Sequence, residues 1–146
     1  MRVRVLCVTC CALAFGPAPA ACAQHAVCTP VPAARGATFA FGTEGGNLRP
    51  RRVEIFADGR VTAEDAGPTT QRLTPNAVAA LARQARAGGF WALRAPAITR
   101  PPRNPDVARR FIVAHLTCGT HRAEYAGDAP AAFTRLLARL DSAVAH

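Results

Sequence analysis

The sequence FIVAHLTCGTHRAEY at residues 111–125 decides the fold, because it predicts two neighbouring strands and the turn between them. Residues 111–116 are rich in β-branched, aromatic and other apolar side chains, which is typical of a strand in the interior of a sheet. A tight turn with a glycine follows at residues 118–120, and residues 121–125 predict the returning strand. This stretch therefore predicts an antiparallel hairpin, with residues 111–116 as the central strand of the sheet.

Three more strands are predicted upstream of this hairpin. Residues 37–41 alternate aromatic and small side chains, and residues 52–56 alternate charged and apolar ones, as half-buried strands do. Residues 60–64 predict the third strand, which Asp58 and Gly59 join to the second in a hairpin. The expected sheet therefore has about five strands.

The turn at Asp58 and Gly59 leaves the register of its hairpin open. With these two residues at the centre of the turn, Phe56 faces Val61 across the ladder. A bulge beside the turn shifts the pairing by one residue and reverses the faces of one strand. The sequence does not choose between these two registers.

Two amphipathic helices complete the expected fold. The first has Thr74 as its N-cap and Pro75 at its first helical position, and it ends at the glycines 88–89. The second is predicted to be capped by Asp128. The apolar stripes are Val78, Leu81, Ala82 and Ala85 in the first helix, and Phe133, Leu136, Leu137, Leu140 and Val144 in the second. Together these elements predict an α+β fold, in which a mainly antiparallel sheet of about five strands has two helices packed on one face.

Residues 1–23 have the anatomy of a secretory signal peptide. Two early arginines precede an apolar run at residues 5–15, and Ala21 and Ala23 satisfy the small-residue cleavage rule before Gln24. The apolar run is shorter than the roughly 20 residues that a membrane-spanning helix requires. We therefore expect no transmembrane segment and a periplasmic or secreted protein.

Cleavage at this point divides the rest of the chain into two parts. Residues 24–36 form a leader rich in proline and alanine, and residues 37–146 form a single α+β domain. The alternative is a lipoprotein acylated at Cys22, although Pro19 stands where a lipid-attachment motif has leucine. Both interpretations export the protein.

Export leaves two of the six cysteines, Cys28 and Cys118, in the mature chain. In an oxidising compartment, two remaining cysteines most simply form one disulfide bond. This bond would attach the leader to the domain. The alternative is a reactive thiol pair or a metal site, but the close Cys-x-x-Cys spacing that supports it is missing.

Composition excludes several enzyme classes. All 18 basic residues are arginine, so no lysine can form a Schiff base or bind phosphate in a P-loop. The single serine, Ser142, lies four residues from the C-terminus, which is a poor position for a hydrolase nucleophile. The net charge of +9, or +7 without the first 23 residues, favours an anionic partner.

Arginines concentrate in the proline-rich stretch at residues 94–110. Five arginines stand there with a single acid, Asp106, and three of the five are Arg100, Arg103 and Arg109. Guanidinium groups bind carboxylates, phosphates and sulfates bidentately, so these three arginines are the candidate residues for binding an anionic envelope polymer. The alternative is a solvated loop in an arginine-rich protein. No aromatic side chains interleave with the arginines, which argues against nucleic acid as a partner.

No motif in the chain demands catalysis, because the HExxH, GxSxG, P-loop and GxGxxG patterns are all missing. His115 and His121 flank the predicted hairpin turn, with Glu124 nearby. A turn with two central residues would put the histidines on opposite faces of the sheet, whereas a turn with three would put them on one face, where they could bind a metal. We expect a non-enzymatic protein with no cofactor and no metal site.

Several short motifs occur in a fixed order along residues 37–145. They are Gly45-Gly46 after the first strand, the Asp58-Gly59 turn, the helix end at Gly89-Phe90, the proline-rich loop to Asp106, and the apolar residues Phe133, Leu136, Leu137 and Leu140. This outline resembles the small bacterial emfourin-like proteins, which include inhibitors of thermolysin-type metalloproteases, and related bacterial domains of unknown function. The resemblance implies an α+β fold and a protein partner. It makes the loop of Gly45, Gly46, Asn47 and Leu48 the first candidate contact.

Three hypotheses for the function follow. The favoured one is an exported, non-enzymatic module that binds another exported or envelope protein, including the inhibition of a secreted or envelope protease. The second is a basic module that binds anionic envelope polymer through residues 94–110. The third is a small hydrolase of unrecognised type.

Overall fold

The computed structural model describes residues 28–47, 49–64, 71–94 and 107–145. The predicted signal peptide, Cys22, Leu48, Arg100 and Arg103 lie outside these residues. The strands are β1 (Phe39–Glu44), β2 (Arg51–Ile55), β3 (Val61–Ala63), β4 (Arg109–Leu116) and β5 (Gly119–Tyr125), and the helices are α1 (Pro75–Ala87) and α2 (Ala131–Val144).

The strands form one antiparallel sheet in the order β3-β2-β1-β4-β5. This confirms the predicted α+β class with its five-stranded sheet and two helices. The prediction that residues 111–116 form the central strand was wrong by one place, because β1 is the middle strand and β4 lies beside it. The β2–β3 hairpin occupies one edge of β1, and α1 then carries the chain across the sheet so that β4 pairs with the other edge.

The β2–β3 hairpin adopts the bulged register. The N–H of Gly59 donates to the carbonyl of Phe56 (2.9 Å), and the N–H of Phe56 donates to the carbonyl of Arg60 (2.9 Å). The turn therefore has three central residues, and Ile55 rather than Phe56 faces Val61. Phe56 lies outside the ladder, where the guanidinium carbon of Arg60 sits 3.8 Å from the centroid of its ring.

The core lies between one face of the sheet and the two helices. Alternate strand residues supply the sheet side, among them Phe39 and Phe41 of β1 and Ile112 of β4. The predicted stripe of α1 is buried throughout, and so are Phe133, Leu136 and Leu140 of α2. Leu137 and Val144 are partly buried against the same core.

Short-range signals set the start of each helix. The hydroxyl of Thr74 accepts a hydrogen bond from the N–H of Ala77 (3.1 Å), so the predicted N-cap of α1 is confirmed. The prediction that Asp128 caps α2 was wrong. Pro130 holds the N-cap position with an extended backbone (φ −55°, ψ 148°), and none of the described side chains caps the helix. The helix therefore begins at Ala131.

The N-terminal end of the described chain is attached to the β4–β5 hairpin. The Sγ atoms of Cys28 and Cys118 lie 2.09 Å apart, at the bonding distance that the sequence prediction requires. Pro30 pairs with Leu116, and the N–H of Thr117 donates to the carbonyl of Thr29 (2.9 Å). The end of the leader thereby extends the sheet beside the last residues of β4.

Candidate functional site

The face of the sheet opposite the helices, called here the open face, carries paired charges. Glu124 of β5 accepts hydrogen bonds from Arg109 (3.2 Å) and from Arg122 (3.0 Å), and Arg122 also binds Glu44 at the end of β1. Burial is the strongest single influence on Glu124 and by itself would raise its pKa. The hydrogen bonds and charges of Arg122 and Arg109 together outweigh that influence and hold the pKa below its usual value.

An aromatic side chain lies beneath these charges. Phe111 belongs to the open face by strand alternation, yet it is only 2% exposed. The guanidinium carbon of Arg122 lies 5.0 Å from its ring centroid, and Gly42 of β1 stands directly opposite it in the ladder. A glycine opposite an aromatic residue leaves room for the ring on the sheet surface. The ring of Phe111 therefore fills the surface of the open face, and the ion pairs above it neutralise the charges of this face.

The predicted anion-binding stretch at residues 94–110 is described only at its two ends. Arg109 is already engaged by Glu124, and Arg110 donates to the carbonyl of Gly127 (2.9 Å). At the other end, the hydroxyl of Tyr125 donates to the carbonyl of Arg94 (3.2 Å). An anion that binds Arg109 must therefore compete with Glu124 for it.

The predicted contact loop and the first residues before β4 meet at one end of the sheet. Gly45 and Gly46 have positive φ angles (74° and 70°), and Asn47 is exposed. A Cβ placed on Gly45 would lie 3.6 Å from the carbonyl oxygen of Val107. Val107, at 38% exposure, is the exposed large hydrophobic side chain among the described residues. These four residues, Gly45, Gly46, Asn47 and Val107, are called here the tip.

The two histidines of the β4–β5 hairpin lie on opposite faces of the sheet. Leu116 pairs with Gly119 and Ala114 with His121, so the turn has two central residues. His121 faces the helices, where its ring stacks on Trp91 with centroids 5.9 Å apart, and its buried Nε2 atom has no hydrogen-bond partner among the described residues. The arrangement in which both histidines bind one metal is thus excluded. No group of three metal-ligating side chains occurs within the described part of the chain.

Sequence reasoning missed a groove between the two helices. Its volume is about 270 Å³, and it lies where the C-terminal half of α1 meets α2. Ala85 and Leu136 contribute apolar surface to it, and Arg135 and Arg139 of α2 line it. The two arginines are one helical turn apart in the sequence, a spacing that places them on one face of a helix. That spacing is the one signal that could have indicated the groove in advance.

Comparisons with family models, with curated proteins and with solved structures gave no match to this chain. A search of the described residues also found no helix with the length and hydrophobicity needed to cross a bilayer.

Proposed function

We propose that this protein is an exported, non-enzymatic binding module that contacts another exported or envelope protein through its tip. The observation that carries the proposal is the convergence of the two-glycine loop and Val107 at one end of the sheet. Two segments far apart in the sequence thus present a single small surface. The signal-peptide pattern of residues 1–23 and the pairing of Cys28 with Cys118 support the export of this surface.

The tip has the parts of a small protein interface. Val107 provides an apolar side chain that is already outside the core, and apolar anchors of this kind supply much of the energy of protein interfaces. Glu44, which directly precedes Gly45, pairs with Arg122 and provides a polar border to the tip. Loops held by a rigid sheet are also the usual carriers of binding function.

The resemblance to emfourin-like proteins supports a protease as the partner. A glycine-rich loop beside an apolar side chain fits the role of an inhibitor, which must occupy the surface of an enzyme without being processed by it. An inhibitor of this kind needs no catalytic residues of its own. Inhibition of a secreted or envelope metalloprotease is therefore the specific form of the proposed function.

The direct test is a titration of a thermolysin-type metalloprotease with the mature protein, residues 24–146. We expect the protease to lose activity in proportion to the added protein. The double variant Val107→Asp with Asn47→Arg should lose this effect. The matched control is Thr120→Asp, an exposed position at the other end of β4 and β5, which should inhibit as the unmodified protein does.

Capture from periplasm and culture medium tests the wider proposal of a protein partner. A protein that binds the unmodified chain and the Thr120→Asp control, but not the tip variant, would support it. Equal capture by all three forms would place the contact elsewhere. Circular dichroism of each variant shows whether the fold is retained.

A further inference from the structure

The helical layer carries a second candidate surface that shares no residue with the tip. Ala85, Phe90 and Leu136 line the groove and are buried, so they form its bottom, and the other lining residues include the exposed Gln84, Arg135 and Arg139. Phe90 and Leu136 belong to the core, so the bottom of the groove is fixed by the packing of the two helices against the sheet. The groove is thus part of the rigid fold.

The arginines of this groove have no acidic partner in the part of the chain that the structure describes. Neither the guanidinium of Arg135 nor that of Arg139 forms an ion pair with a described residue, in contrast to Arg109 and Arg122 on the open face. The sequence of α1 contains no acid, and the one acid of α2, Asp141, is bound to Arg51 (3.5 Å). Two like charges one turn apart also repel each other. A bound pair of carboxylates would relieve that repulsion.

We propose that this groove binds an acidic peptide segment of a partner protein, in which an apolar side chain stands between carboxylates. The two guanidinium groups suit carboxylates, which arginine holds in a bidentate manner. Gln84 adds an amide that can donate to a peptide carbonyl or accept from a peptide N–H. The apolar bottom of the groove distinguishes a peptide from a polysaccharide, which has no apolar side chain to place there.

Fluorescence anisotropy with a labelled synthetic peptide tests the proposal. The probe has a central leucine and phenylalanine between glutamates, and the reference peptide has glutamine at each glutamate position. We expect the glutamate peptide to bind and the glutamine peptide to bind about tenfold more weakly. The double variant Arg135→Gln with Arg139→Gln should lose about tenfold in affinity for the glutamate peptide.

The matched control removes the same charge elsewhere. Arg35 and Arg72 are exposed and lie outside the groove, so Arg35→Gln with Arg72→Gln should keep the affinity within about twofold. Equal losses in the two double variants would show that only the net charge matters, and would overturn the proposal. All four positions are exposed, so both variants are expected to fold.

Two other occupants of the groove would also be revealed by these measurements. Dextran sulfate that binds through Arg135 and Arg139 while the peptide does not bind would assign the groove to an anionic polymer. A dimer in analytical ultracentrifugation that the Arg135→Gln, Arg139→Gln variant abolishes would assign it to a second copy of the chain. Either result would overturn the peptide proposal without affecting the proposed role of the tip.

Discussion

The substitution Gly42→Ala tests the close approach of β1 and β2. Gly42 lies inside β1 and pairs with Arg52 of β2, and its φ angle is +154°. A Cβ at this position would lie 1.8 Å from the carbonyl oxygen of Arg51 and 2.8 Å from its carbonyl carbon. Both atoms belong to the backbone, so no side-chain rotation can relieve the contact.

The expected cost can be worked out from this geometry. The Cβ and the Arg51 oxygen would have to separate by more than 1 Å to reach 3.0 Å, the lower limit of real Cβ contacts. A shift of that size breaks strand hydrogen bonds, each worth about 1 kcal/mol, and overpacking adds about 1–3 kcal/mol. We therefore expect Gly42→Ala to lower the free energy of unfolding by about 4 kcal/mol, or the melting temperature by roughly 15 °C.

Thermal and urea denaturation followed by circular dichroism measure this loss. The control is Gly127→Ala, because Gly127 also has a positive φ (81°), but no atom of the residues that the structure describes lies within 4 Å of a Cβ added there. Conformational strain alone should cost the control about 1 kcal/mol. If Gly42→Ala cost no more than Gly127→Ala, the argument from the backbone contact would be refuted.

Three further predictions concern stability and are checked by urea denaturation. Because the folded pKa of Glu124 is lowered, its contribution to stability is present above the pKa of the unfolded chain, about 4.3, and is lost as the pH falls through the folded pKa. Glu124→Gln should thus lower the free energy of unfolding by about 1 kcal/mol at pH 7, and this loss should shrink below pH about 4. A loss that does not change with pH would contradict the prediction. Reduction of the disulfide between Cys28 and Cys118, which are 90 residues apart, should lower the free energy of unfolding by about 4 kcal/mol. The intact mass of the oxidised protein should lie about two daltons below that of the reduced form. Two freely alkylatable thiols would rule the bond out. Thr74→Ala should cost about 1 kcal/mol through loss of the N-cap, and Asn76→Ala, at an exposed position in the same turn, provides the comparison.

The helices could be predicted because their signals are local. Thr74 and Pro75 start α1 and Gly88 ends it, all within one short stretch of sequence. Asp128 misled the prediction for a local reason as well. A proline can occupy the N-cap or the first helical turn, and the structure places Pro130 at the N-cap.

Strand order and register depended on contacts between distant residues. The carbonyl of Gly59, in the bulged turn, accepts a hydrogen bond (2.8 Å) from the N–H of Leu73, which lies beyond β3 in the sequence. The pairing of Glu44 with Arg109, which sets β1 at the centre of the sheet, joins residues still further apart. Local patterns carry no information about either contact.

The candidate sites show the same difference between features that the sequence indicates and features that depend on tertiary contacts. Gly45, Gly46 and Asn47 were indicated before the structure by the resemblance to emfourin-like proteins, which rests on short motifs in the sequence. Val107 could not be indicated, because only the pairing of β1 with β4 brings it beside them. The helical groove depended in the same way on the packing of α1 against α2.

The placement of arginine is more informative than its abundance. Arginine replaces lysine at every basic position, so its number reflects a bias of the whole chain. A bias of that kind acts on all faces alike and does not determine where carboxylates are missing. Glutamates neutralise Arg109 and Arg122 on the open face, whereas Arg135 and Arg139 line an apolar groove without an acidic partner among the described residues. The helical layer is therefore the face on which an acidic partner gains most from binding, and the open face is the one on which it gains least.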